Sequence, residues 1–130
     1  MKKLVLLVTI LITGLTVFSQ GIDFQKGRYA EVLEMAKKQN KLVFIDIYTS
    51  WCGPCKMMMK NIFPLKEVGN YLNSKFVCIK IDAEKGEGPE LAKRYQVKAY
   101  PTFVAINPAE EILMTKVGGS GSGSGFIGSI

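Results

Sequence analysis

Apolar and polar positions along the chain separate into segments with different periods. LVFIDIY, residues 42–48, is a nearly continuous run of branched and aromatic side chains. That pattern predicts a strand buried on both faces, as in a parallel sheet. Asp46 lies in its middle and conflicts with such burial. FVCIKID, residues 76–82, reads as a second strand. Before them, GRYAEVLEMAKKQ (27–39) has a helical period. Ala30, Leu33 and Ala36 or Lys37 form its stripe, widened by Val32, Met35 and Ala36, and Asn40-Lys41 breaks it. Gly53-Pro54 opens another helix, since a proline in the first turn gives up no hydrogen bond. It runs to about Phe63 and stops at Pro64. Residues 65–74 carry Val68, Tyr71 and Leu72 on one helical face, and Pro89 starts a helix that continues to Tyr95 after the loop EKGEGP. PTFVAIN (101–107) and EEILMTKV (110–117) flank Asn107-Pro108-Ala109 and predict an antiparallel hairpin. The order α, β, α, β, α, β, β implies an α/β fold: a mixed central sheet with helices on both faces. The end, GGSGSGSGFIGSI (118–130), reads as a flexible Gly/Ser-rich tail. Phe126 and Ile127 could begin a helix there, but a full C-terminal helix is expected to be missing or truncated.

The length of 130 residues suits one domain, expected over 22–119. The opening MKKLVLLVTILITGLTVFSQG places Lys2 and Lys3 before an apolar run from Leu4 to Phe18. That is the layout of a secretory signal over residues 1–19, cleaved after Ser19. The run is shorter than the ~20 residues a membrane span needs, so a retained anchor is the weaker alternative. A periplasmic or secreted protein is expected. The formal charge of +6 then falls to about +4, with 15 Lys and Arg (without Lys2 and Lys3) against 11 Asp and Glu. These lysines are scattered, and no basic stripe with aromatics indicates nucleic acid. The chain has no histidine. This excludes Ser-His-Asp and Cys-His catalysis and histidine-ligated zinc or haem.

Two of the three cysteines, Cys52 and Cys55, stand in YTSWCGPCKMMMKN (48–61) beside the only tryptophan, Trp51. A zinc site needs four ligands, and only Cys78 could add a third. A structural staple would close too small a loop to stabilise much. A redox dithiol fits the position, directly after a buried strand and at the start of a helix. There the helix N-terminus stabilises a Cys52 thiolate, with a pKa below the free value of about 8.5. Cys55, one turn inside, is expected to be more shielded. Cys52 is therefore the expected attacking thiol and Cys55 the resolving one.

WCGPC resembles the active-site motif of the thioredoxin family. FIDIYTSWCGPCK (44–56) is similar to the family's strand-turn-helix, with Asp46 six positions before Cys52. AYPTF (99–103) resembles its cis-proline loop and TKVGG (115–119) its last strand. The resemblance spans residues 27–119. It implies a thioredoxin-like fold, a redox-active Cys52–Cys55 pair, and no cofactor or metal. It implies that Asp46 is a buried carboxylate accepting the proton of Cys55, and that Pro101 follows a cis peptide. It also implies that Trp51, Gly53, Pro54, Tyr100 and Pro101 meet the substrate.

Three features depart from thioredoxin itself. The first proline after Cys55 is Pro64, and N-I-F-P-x-x-x-V is similar to exported thioredoxin-like domains. Cys78 stands where the family has a buried lysine near the aspartate; it reads as a small buried hydrophobe. The family's first strand is short or absent. Met57 to Met59 read as helix core and surface. The expected activity is that of an exported thiol:disulfide oxidoreductase that reduces or isomerises client disulfides. It would act as a monomer, with electrons from a membrane or envelope donor. The alternative is a redox-inactive, peptide-binding or chaperone-like module of the same fold.

Overall fold

The computed structural model describes residues 20–130, so the signal expected over 1–19 lies outside the described residues. The nearly continuous run at 42–48 does become an inner strand. β1 (Leu42–Tyr48) pairs in parallel with β2 (Phe76–Asp82) on one side. On its other side it pairs antiparallel with β3 (Thr102–Ile106), which forms a hairpin with β4 (Ile112–Val117). The strand order is β2-β1-β3-β4. Helices cover both faces. Val43, Ile45 and Ile47 point into one core with Val32, Ala36 and Leu91. Phe44 points into the other, with Met58, Leu72 and Phe103. Burial on both sides is why β1 reads as a continuous apolar run.

α1 (Tyr29–Gln39) starts where Glu31 accepts a hydrogen bond from the Arg28 backbone N–H at 3.2 Å, and it ends at Asn40 in the left-handed region. Its buried stripe is Tyr29, Val32 and Ala36; Ala30 faces solvent, one position away from the expected stripe. α2 (Gly53–Met57) continues without a break into a π-helical turn (Met58–Ile62), where the Phe63 N–H donates to the Met58 carbonyl at 2.9 Å. The expected helix to Phe63 therefore carries one wide turn before Pro64. α3 (Lys66–Lys75) leads into β2. α4 (Gly88–Arg94) starts hard against the end of β2: a Cβ on Gly88 would collide with the Asp82 carbonyl. Among the described residues, the segment before α1 pairs with the sheet at the single Phe24–Cys78 bridge, consistent with a first strand that is short or absent.

The C-terminus differs from the expected flexible tail. Residues Gly123–Ile127 form a short helix, α5, capped by Ser122, whose Oγ accepts from the Gly125 N–H at 3.0 Å. Phe126 is fully buried, with its ring 5.1 Å from Phe103 and 6.0 Å from Phe63. Burying one phenylalanine contributes roughly 1.5–3 kcal/mol, enough to offset part of the entropy of ordering a glycine-rich segment. One aromatic anchor outweighs the local composition.

Candidate active site

Strand β1 delivers the chain to one end of the sheet, and the loop after it turns directly into α2. Cys52 is the N-cap of that helix, extended at φ −72° and ψ 117°. Its Sγ accepts a hydrogen bond from the Cys55 N–H at 3.2 Å. Cys52 and Cys55 are joined by a disulfide, with their Cα atoms 5.3 Å apart. Each is only 3% exposed, so the expected difference in shielding is not seen in this bonded state: two linked sulfurs share one enclosure. Gly53 and Pro54 between them are exposed, and nothing lies within 4 Å of where a Gly53 Cβ would point.

Trp51 does not fill the core. It is 64% exposed and meets Tyr100 edge-on, ring centroids 5.9 Å apart. Tyr100 precedes Pro101 through a cis peptide, and Pro101 is buried. The Thr102 hydroxyl donates to the Ala99 carbonyl at 2.7 Å, and the Gly118 N–H donates to the Pro101 carbonyl at 2.8 Å. The loop containing Pro101 is thereby tied at both ends.

Asp46 is 2% exposed, and its Oδ1 has no hydrogen-bond partner. Loss of solvation pushes its pKa up to about 7, against a smaller opposing pull from the Lys80 charge. Lys80 is the cross-strand partner of Asp46 on β2. Its Nζ lies 3.3 Å from Met59 Sδ and over the rings of Tyr48 (5.2 Å) and Phe24 (5.5 Å). Burial lowers the Lys80 pKa, and the Asp46 charge works against that. Sequence reasoning singled out Cys78 at the family's lysine position and passed over Lys80, two residues on. The alternation in FVCIKID was the available signal, since Cys78 and Lys80 leave β2 on one face. Cys78 is free and buried beside Phe44, and burial pushes its thiol up to about 12. A thiol so shifted holds no thiolate near neutrality and behaves as a small hydrophobe. Of the methionines, Met58 is in the core, Met57 half-buried and Met59 exposed.

A helix-capping cysteine bonded to its partner one turn on has the geometry of a dithiol redox centre. The family model Thioredox_DsbH, described as a protein of unknown function, DUF255, matches residues 18–107. The chain belongs to this thioredoxin-like family. It is 34% identical over 87 residues to a thioredoxin-like protein of Synechocystis sp., covering 67% of this chain and 78% of that one. It is 37% identical over 83 residues to the chloroplastic thioredoxin Y of Oryza sativa, covering 64% of this chain but only 46% of that protein's length. Among solved structures, a candidate disulphide-isomerase from Bacteroides thetaiotaomicron matches with a TM-score of 0.74 and 41% identity, over 84% of this chain and 90% of that one. The fold is thioredoxin-like, and Cys52–Cys55 is the dithiol/disulfide couple of a thioredoxin-like oxidoreductase.

Proposed function

We propose that this chain is an exported thiol:disulfide oxidoreductase that reduces or isomerises disulfides in client proteins. The observation that carries the reading is Cys52 at a helix N-cap, bonded to Cys55, with only Gly53-Pro54 between them.

In the reduced state the Cys52 thiolate attacks one sulfur of a client disulfide. A mixed disulfide forms and the client's other sulfur leaves as a thiolate. Cys55 then gives its proton to the Asp46 carboxylate, directly or through water, and its thiolate attacks Cys52 Sγ. The second client sulfur leaves, and the Cys52–Cys55 disulfide remains. Two electrons have passed to the client, and a dithiol donor in the cell envelope restores the pair. A carboxyl whose pKa is about 7 suits this exchange, because it is near the working pH in both directions. Trp51, Gly53, Pro54, Tyr100 and Pro101 are the residues assigned to meet the client, a role supported by the exposure of Trp51, Gly53 and Pro54 and the contact of Trp51 with Tyr100.

Direction follows from what stabilises the thiolate. Gly53 and Pro54 bring no side-chain donor or charge, and Lys56 is exposed beyond Cys55. The helix N-terminus then stabilises the Cys52 thiolate modestly. The couple is then reducing, near roughly −270 mV. Export rests on the residue 1–19 segment, and the domain works as a monomer.

Equilibration of the Cys52–Cys55 couple against glutathione, together with insulin-disulfide reduction, tests the reading. A potential near −270 mV with turnover of insulin supports it. A potential near roughly −120 mV would make the protein a disulfide donor, and the absence of turnover would leave only peptide binding.

A further inference from the structure

Three loops meet at the side chain of Trp51, the neighbour of Cys52. Trp51 comes from the β1–α2 loop, Tyr100 from the loop before β3, and Glu84 from the loop after β2. The Trp51 Nε1–H donates to Glu84 Oε1 at 2.5 Å, and the indole sits edge-on to Tyr100. Glu84 is itself held, since its backbone N–H donates to Asp82 Oδ1 at 2.9 Å. The indole is therefore tied at its polar edge and braced on its ring, although nearly two thirds of it faces solvent.

We propose that Glu84 is a positioning residue: it fixes Trp51 as a rigid wall of the client-binding rim and so sets how tightly protein clients are held. The inference rests on the function proposed above. Its physical basis is entropic. A large exposed aromatic is the side chain best suited to anchor a partner, but only if it is not first immobilised at the partner's expense. A free indole loses rotamer freedom on binding; one already bonded to Glu84 and braced by Tyr100 does not. Glu84 contacts neither sulfur, so its influence falls on binding rather than on the exchange step.

Two variants separate the bond from the charge. Glu84→Ala removes the acceptor. Glu84→Gln keeps an acceptor oxygen at the same reach and removes the charge. Glu84→Ala is expected to raise KM for insulin about fivefold, the loss of one hydrogen bond, with kcat changed less than twofold. Glu84→Gln is expected to stay within twofold of the parent in both. Trp51 is the only tryptophan, so its fluorescence anisotropy reports the wall directly: it should fall in Glu84→Ala and hold in Glu84→Gln. Unchanged KM or unchanged anisotropy in Glu84→Ala overturns the proposal. So does Glu84→Gln losing as much as Glu84→Ala, which would assign the effect to charge. If the parent protein reduces no insulin, the proposed function fails instead, while the anisotropy still tests the Glu84–Trp51 bond.

Discussion

Asp46 and Lys80 are cross-strand partners in the parallel β1–β2 pair, and their side chains leave the sheet on the same face. This places a cation beside a buried carboxyl that has no hydrogen bond at Oδ1. Here the lysine enters from the adjacent β2 position on that face, while Cys78 occupies the position that matches the thioredoxin family's buried lysine. The charge of Lys80 draws the Asp46 pKa down against the larger effect of burial. Lys80→Met is therefore expected to move the Asp46 titration upward from about 7. At pH 7 fewer molecules then hold the carboxylate, and resolution of mixed disulfides slows. Carbon NMR of the Asp46 carboxyl in parent and variant gives the shift directly; an unmoved midpoint would show that Lys80 does not act on it.

The raised pKa of Asp46 also sets a stability profile. Its folded-state value of about 7 stands above the ordinary value of 3.8. Between those values the folded chain binds more protons than the unfolded chain, so stability falls as pH rises from about 4 to 7. The integrated loss is roughly 4 kcal/mol at most. Asp46→Asn removes that slope. It should be more stable than the parent at pH 8, with a smaller difference at pH 5, and should reduce clients more slowly near neutrality. Denaturant unfolding at the two pH values checks this, and an equal difference at both would contradict the assignment.

The two cysteines are expected to fail differently. With Cys55→Ser, Cys52 still attacks but cannot be released, so clients accumulate as mixed disulfides on non-reducing gels. With Cys52→Ser no such adducts form and exchange is abolished. Adducts in the Cys52→Ser protein would reverse the two roles.

Phe126 ties the glycine-rich end to the phenylalanine cluster of Phe44, Phe63 and Phe103. Phe126→Ala should lower stability by about 3 kcal/mol, the usual cost of emptying a buried aromatic site, read from the shift in urea midpoint. A loss under about 0.5 kcal/mol would mean that the segment contributes little, as surface substitutions do.

Much of this molecule is written locally. The strand at 42–48, the helix start at Gly53-Pro54, the stop at Pro64 and the hairpin around Asn107-Pro108-Ala109 each depend on a few neighbouring residues, and each lies within a residue or two of its expected place. The redox pair is local in the same way: a three-residue spacing at a strand-to-helix turn brings the two sulfurs together. The register of β2 against β1, the bond from Trp51 across 33 positions to Glu84, and the burial of Phe126 are different. They join residues far apart in the chain, and no local period encodes them. A lysine in a strand, an exposed glutamate in a loop and a phenylalanine in a Gly/Ser run have neutral meanings until packing supplies their neighbours. Only the tertiary structure could put a charge beside Asp46, a clamp on Trp51 and an anchor beneath the tail.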